Sequence, residues 1–275
     1  MEVGAMPGES RSRQGALAEF VDGLQASGRY CFDRQEAMAA LGSSGPVLKK
    51  AVMRLAAKGR LIAPKRGFYV IVPIEYRSAG APPPTWFIDD LMRKLGRAYY
   101  VGLLSAAGLH GAAHQQAQEF QIMTDIPVRP VLAGRARIRF LTKRCHQQTP
   151  TLEMKTPTGR ILVSTPEATA VDLLRYAAAA GGLSNVATVL AELAERLDAS
   201  LLAKAAADGA EIVFAQRLGY LLDQIGEGKR AAALAALIAE RKPRSVALRP
   251  GRSTRGGPVD RRWGVIVNER IEVDL

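Results

Sequence analysis

GSSGPVLKKAVMRLAAKGRLIAPKRGFYVIV, residues 42–72, is the stretch whose reading decides the fold. It opens on a Gly- and Ser-rich turn and reaches Pro46, which suits the first turn of a helix because no partner awaits the missing N–H there. A hydroxyl of Ser43 or Ser44 can cap the free backbone N–H groups of that turn. Leu48, Ala51, Val52 and Leu55 recur at i, i+3, i+4 and i+7, one apolar stripe on a helix from Val47 to Lys58. Helical periodicity puts Lys50, Met53, Arg54 and Ala57 on the opposite side, with Lys49 and Lys58 at the flanks. Gly59 ends the helix. Leu61–Ala63 and Phe68–Val72 then read as strands joined by the turn Pro64-Lys65-Arg66-Gly67. Between Ser43 and Ile74 stand seven Lys or Arg and no Asp or Glu. A surface that only keeps a protein soluble mixes both signs, so the single sign points to a polyanion. A helix with a buried stripe and a basic outer face, then a basic-tipped hairpin, is the layout of a winged helix. There the helix enters the major groove and the hairpin tip grips phosphates.

The whole chain carries the same bias. Its 275 residues hold 38 Lys and Arg against 26 Asp and Glu, a formal net charge of +12, and nucleic acid is the commonest partner of such a balance. The hydrophobic fraction of 48% is that of a folded protein, and the length suffices for two domains with separate cores. Cys31 and Cys145 fit no disulfide framework and no CxxC site; they read as reduced thiols of a cytoplasmic protein. Residues 1–14 lack the apolar segment of a signal peptide. The most apolar window, Val101–Leu109, is too short to cross a membrane, so no membrane partner is expected.

Working outward, residues 1–14 are expected as a disordered tail and 15–76 as a winged helix-turn-helix domain. Leu17, Phe20, Val21 and Leu24 give its first helix. Asp33-x-x-Glu36 forms a capping box for a second, with Ala37, Met38 and Leu41 inward, and Tyr30–Phe32 can add a short strand beside the hairpin. Residues 77–84, with three consecutive prolines, read as a linker. That leaves 85–275 as a larger mixed α/β domain, and the fold class as α+β, predominantly helical. In this domain Trp86–Leu95 reads as a helix, and Phe120–Met123, Arg137–Leu141 and Arg160–Val163 as strands. Ser164 and Glu167 fit a capping box around Pro166, opening a helix through Tyr176. Further helices are expected from about Ser184, Leu201, Val213 and Lys229. Trp263–Val267 and Ile271–Val273 read as closing strands.

Five blocks then stand together: YYVGLLSAAGLHGAAHQQ (99–116), VSTPEATAVDLLRY (163–176), GGLSNVATVLAEL (181–193), QRLGYLLD (216–223) and RRWGVIVN (261–268). In this order they resemble the AbiEi family, antitoxins of bacterial abortive-infection toxin–antitoxin systems used in phage defence. The likeness runs through residues 15–275. It implies a winged helix that binds inverted repeats in the promoter of its own operon and represses it. It also implies a C-terminal domain that counteracts a nucleotidyltransferase-like toxin encoded next door, with no cofactor. The family is described as antagonising its toxin without a stable complex, so the contact can be indirect. Carried over by position, the DNA contacts come from Ser43, Ser44, Lys49, Lys50, Arg54, Lys58, Lys65 and Arg66.

Residues 129–160 form a second basic stretch, with Arg135, Arg137, Arg139, Lys143 and Arg144 at its centre and Glu153 as its one acid. It reads either as a further nucleic-acid surface or as a solvated strand face. A third basic run, Arg241–Arg262, is expected as a mobile surface loop.

Catalytic chemistry finds little footing. His110-x-x-x-His114 has the spacing of a helical metal pair, with Cys145-His146 as further donors, but Gly108 and Gly111 argue that the helix ends there. Asp125 and Glu153-x-Lys155 can imitate the carboxylates and lysine of a metal-dependent nuclease, and a nuclease with a winged-helix domain is the alternative reading. A plain transcription factor with a ligand-sensing second domain is another. Gly181-Gly182 and Gly256-Gly257 lack the GxxxxGK arrangement of a phosphate loop. No Ser/His/Asp set can be assembled. No catalytic residue and no metal ligand is expected.

Overall fold

The computed structural model of the chain describes residues 9–112, 118–144, 146–208 and 212–273. It is mixed α/β and divides into two compact units. The first takes in Met1–Ala98, Arg129–Arg139 and Met154–Ile161, and the second Tyr99–Val128, Phe140–Glu153 and Leu162–Leu275.

The first unit runs α1 (Glu9–Ala26), β1 (Cys31–Asp33), α2 (Arg34–Leu41), α3 (Gly45–Ala57), β2 (Leu61–Lys65) and β3 (Phe68–Ile71). β3 is the middle strand of an antiparallel sheet in the order β1-β3-β2. Leu17, Val21, Leu24, Phe32, Ala37, Leu48, Val52, Leu55, Leu61 and Ile71 make one buried cluster, so the stripes read on the first three helices meet in a single core. α1 starts at Glu9, within the segment expected as a tail. The third strand forms one residue later than expected, with Cys31 opposite Val70 and Asp33 opposite Phe68. Lys65 pairs with Phe68, so the hairpin turn shortens to Arg66-Gly67, and Gly67 supplies the left-handed φ of +74° that such a turn demands. An irregularity between Ile62 and Lys65 accommodates Pro64. It does so on an edge strand, the place in a sheet where a proline is tolerated.

The capping box at α2 is half formed. Asp33 Oδ1 accepts from the Glu36 backbone N–H at 2.9 Å, while the Glu36 carboxylate turns to Arg29 at 2.7 Å. At α3 the backbone of Ser44 holds the cap position, yet its side chain makes no capping bond. Serine capping at this helix is therefore corrected. Ser43 Oγ is buried with no hydrogen-bond partner among the described residues.

The proline-rich stretch 77–84 lies within the first unit. Single 3-10 turns flank it at Ile74–Tyr76 and Pro84–Trp86, and the Trp86 ring packs edge-on against Tyr30 and Tyr76, with centroids 4.8 and 5.2 Å away. Ala81 is buried. The Ala79 carbonyl accepts from the Arg135 N–H at 2.9 Å, and a Cβ on Gly134 would collide with that carbonyl. α4 (Ile88–Leu95) completes this part of the unit, as the helical reading of Trp86–Leu95 expects. Its Asp90 accepts from the Cys31 thiol at 3.0 Å.

Seven strands and helices follow to the middle of the chain: β4 (Tyr99–Val101), α5 (Leu103–Leu109), β5 (Glu119–Thr124), β6 (Val131–Ala133), β7 (Ala136–Thr142), β8 (Thr151–Thr156) and β9 (Gly159–Ser164). The strands form one sheet in the order β6-β7-β5-β4-β9-β8, with β4 antiparallel to β5 and parallel to β9. The three strands expected from sequence fall inside β5, β7 and β9. α6 (Pro166–Arg175), α7 (Leu183–Leu193), α8 (Ala199–Asp208), α9 (Ile212–Gln224) and α10 (Ala232–Arg241) then build the helical half of the second unit. Leu173, Leu190, Leu193, Leu202, Leu218, Leu221 and Leu234 are fully enclosed in its core.

The tail of the chain departs from expectation. β10 (Val246–Ala247), β11 (Val259–Asp260) and β12 (Val265–Ile266) form a small sheet in the order β10-β12-β11, and Ile271–Val273 forms no strand. The basic run from Arg241 to Arg262 is likewise held. Leu248 is fully buried, and the Asn268 amide donates to the Arg249 and Arg252 carbonyls, each at 3.0 Å.

Candidate nucleic-acid interface and buried polar clusters

On α3 the division of labour is complete. Leu48, Val52 and Leu55 are 1%, 8% and 8% exposed, each burial stabilising by about 1.5–3 kcal/mol. Lys49, Lys50, Arg54 and Lys58 are exposed, and between them Met53 and Val47 stand 61% and 53% exposed. Past the helix, Arg66 is exposed at the hairpin turn and Lys65 half-buried beside it. Among the described residues, none of these six cations takes part in a hydrogen bond or ion pair. Elsewhere in the unit Arg34, Arg77 and Arg97 also lack an acid partner among the described residues, while four cations are paired: Arg29 with Glu36 at 2.7 Å, Lys94 with Asp33 at 3.0 Å, Arg93 with Asp90 at 2.7 Å, and Arg60 with Asp22. Such exposed pairs add little stability. Their effect is to cancel charge where they occur and leave the positive field over α3 and the β2–β3 turn.

Of the expected contacts, the structure turns Ser43 inward and leaves Ser44 exposed on the turn before α3. Arg34, not singled out by the sequence, lies beside them. Pairing of β1 with β3 sets Asp33 opposite Phe68, which brings the first residue of α2 to the hairpin turn. The periodicity of either segment alone carries no trace of that meeting.

The second basic stretch does not stay together. Arg135 and Arg137 are exposed and Arg139 half-buried, all three in the first unit, and Arg144 is exposed in the second. Arg137 and Arg139 are engaged in interactions of their own. Lys143 leaves the surface: it is 8% exposed, and its Nζ donates to Asp172 Oδ1 at 2.7 Å.

That pair belongs to a buried polar cluster of the second unit. Asp172 is fully enclosed on α6. Its other oxygen accepts from the Tyr100 hydroxyl at 2.7 Å, and the His146 ring stacks parallel to Tyr100 with centroids 6.5 Å apart. Burial, with the Asp172 charge beside it, pushes the Tyr100 hydroxyl well above the usual phenol range. The start of α6 corrects the expected cap by one residue. Thr165 Oγ1 accepts from the Ala168 N–H at 3.3 Å, Ser164 Oγ hydrogen-bonds to Thr169 Oγ1 at 2.7 Å, and buried Glu167 instead accepts from the Asp198 N–H at 3.1 Å.

A second internal lock joins α9 to the end of the chain. The Gln216 amide donates to the carbonyls of Arg244 and Trp263 at 3.1 and 3.0 Å. Gly219 lies against the Trp263 ring, and a Cβ there would collide with it. Asp223 accepts from the Trp263 indole N–H at 2.6 Å and from Arg262 at 2.9 Å. The blocks QRLGYLLD and RRWGVIVN are thus two halves of one contact.

The residues weighed for catalysis have these surroundings. His110 ends α5, with its Nε2 2.7 Å from the Ser164 carbonyl oxygen; His114 and Cys145 lie outside the described residues. Asp125, Glu153 and Lys155 are exposed, and Glu153 is engaged in an interaction of its own. Among the described residues, no group of three His, Cys, Asp or Glu gathers as a metal site.

Residues 100–224 match the AbiEi antitoxin C-terminal domain. By that match, the chain carries an AbiEi antitoxin C-terminal domain. The AbiEi segment runs from β4 to the end of α9 and takes in Tyr100, Lys143, Asp172 and Gln216. The buried polar cluster therefore lies wholly inside the AbiEi domain, and α9 gives that domain one side of the lock with Trp263. That domain supports an antitoxin role in a toxin–antitoxin system. The fold is similar to that of the crystal structure of the RV2827C protein from Mycobacterium tuberculosis, at 18% sequence identity and a TM-score of 0.67, over 90% of this chain and 89% of that one. No curated protein matches the chain. No helix among the described residues is long and apolar enough to cross a membrane.

Proposed function

We propose that this chain is an AbiEi antitoxin and a DNA-binding autorepressor, and that it acts without catalysis of its own. On this reading α1–α3 and the β1-β3-β2 sheet work as a winged helix. α3 lies in the major groove, with Lys50 and Arg54 toward base edges. Lys49, Lys58, Lys65 and Arg66 meet backbone phosphates. The observation that carries the reading is the clustering of unpartnered cations on one helix and the turn beside it. Acids neutralise Arg29, Arg60, Arg93 and Lys94, while the cations of α3 and the hairpin turn have no partner among the described residues. The duplex is the promoter of its own operon, with inverted repeats as the sites. The antagonised toxin is a neighbouring nucleotidyltransferase-like protein, whether or not the two form a complex. Arg135, Arg137 and Arg144 are proposed to add weaker contacts to nucleic acid, and Lys143 drops out of that set. DNA binding is assigned to residues 15–76 and neutralisation to 85–275.

Two assays on the full chain test this. Lys50→Ala and Arg54→Ala should weaken binding to the promoter duplex by ~1–3 kcal/mol each and relax specificity at single positions. Co-expressed with the adjacent gene, the same variants should still rescue growth. If neither variant changes promoter binding, the DNA-binding assignment is lost. If the wild-type chain fails to rescue a toxic neighbour, the proposed toxin is wrong.

A further inference from the structure

We infer that Arg34 is a further DNA-contact residue, a phosphate clamp set where α2, α3 and the hairpin turn converge; the inference rests on the DNA-binding reading above. The Arg34 backbone N–H donates to the Gly67 carbonyl at 2.9 Å, so the residue is fixed to the turn that carries Arg66. A Cβ added to Gly67 would lie 3.7 Å from Arg34 Cβ, which shows how closely the two segments approach. The side chain then runs to the beginning of α3. Its guanidinium lies directly on Gly45, where a Cβ would collide with it. Glycine at the first position of α3 is what leaves room for the cation.

Among the described residues, no acid repays this arrangement. Arg34 is exposed, and among the described residues no acid pairs with it. The first turn of α3 contains no acidic residue. A cation resting at the positive end of a helix is unfavourable unless an anion joins it. The planar fork of a guanidinium matches two phosphate oxygens at once. Arg34 thus sits at the start of α3 and beside the turn that carries Arg66, where it would meet a backbone phosphate if α3 entered the groove. Such a contact holds the helix in register and reads no sequence.

The test uses the full chain, a duplex of its own promoter and a scrambled duplex of equal length, with binding followed by fluorescence anisotropy across a salt series. Arg34→Ala should weaken both duplexes equally, by roughly three- to tenfold. It should also lower the slope of log affinity against log salt by about one. Gly45→Ala should do the same by displacing the guanidinium, while thermal melting shows the fold retained, since alanine is the better helix former. Arg34→Lys should recover only part of the loss. If Arg34→Ala and Gly45→Ala bind as wild type while Lys50→Ala and Arg54→Ala bind weakly, the clamp is refuted and the DNA-binding reading stands. If none of the four changes binding, both fall together.

Discussion

The outward face of α3 and the buried face of α6 treat charge in opposite ways. On α3, Lys49, Lys50, Arg54 and Lys58 are left in solvent without partners among the described residues, over a stripe of Leu48, Val52 and Leu55 that needs nothing from them. On α6, Asp172 is fully enclosed and both its oxygens are occupied, one by Lys143 and one by Tyr100. The first set can change without touching the fold. The second cannot lose a member without stranding another in a medium of low dielectric. Charge left in solvent and charge committed to internal architecture are thereby told apart by burial and partner, and not by residue type.

The contrast can be broken at its strongest point. Asp172→Ala should cost about 3–5 kcal/mol in urea unfolding, because Lys143 is left buried and unpaired. The joint replacement Asp172→Leu with Lys143→Met should recover most of that loss. If Asp172→Ala melts within a degree of wild type, the cluster is not holding the AbiEi domain together. Gly219→Ala should cost about 1–3 kcal/mol by forcing a methyl into the Trp263 ring, and Trp263→Phe in the same chain should return part of it. Asp33→Ala should cost about 1 kcal/mol through loss of the α2 cap.

Asp33 also carries a pH signature. The Glu36 N–H, with Lys94 beside it, holds its carboxyl below the usual aspartate value of 3.8. Its folded-state affinity for a proton is therefore lower than in the unfolded chain. Its contribution is present above the ordinary aspartate range and lost as pH falls through the lowered value. The difference in stability between wild type and Asp33→Ala should accordingly shrink from pH 7 to pH 2, as measured by urea titration. The smallest stability effects belong to Lys50→Ala and Arg54→Ala, within about 0.5 kcal/mol. A loss of promoter affinity without a loss of melting temperature would sharpen the contrast most.

What could be read from sequence was what local periodicity encodes. The α3 stripe, the hairpin after it and the Asp33 cap each depend on residues within a few positions of one another, and each is found in the structure. β4 and β6 are three residues long, too short for a period to emerge. β8 has no buried residue, and its apolar alternation is limited to Leu152 and Met154, too few to mark a strand. Lys143 looked like one more surface cation beside Arg139 and Arg144 because its partner, Asp172, lies 29 positions away. Arg34 was hidden for the same reason, since its neighbours Gly45 and Gly67 meet it only after β1 and β3 pair. At α6 the residue types were right and the register was off by one, because Thr165 competes with Ser164 for the same role.

The thiol of Cys31 is buried, and it donates to Asp90. Burial and that carboxylate hold its proton far above the usual thiol range. Only the thiolate attacks peroxides or disulfides at speed, so oxidants meet this sulfur as a spectator. The unit that carries α3 should keep its shape through oxidative stress that would mark an ordinary cysteine.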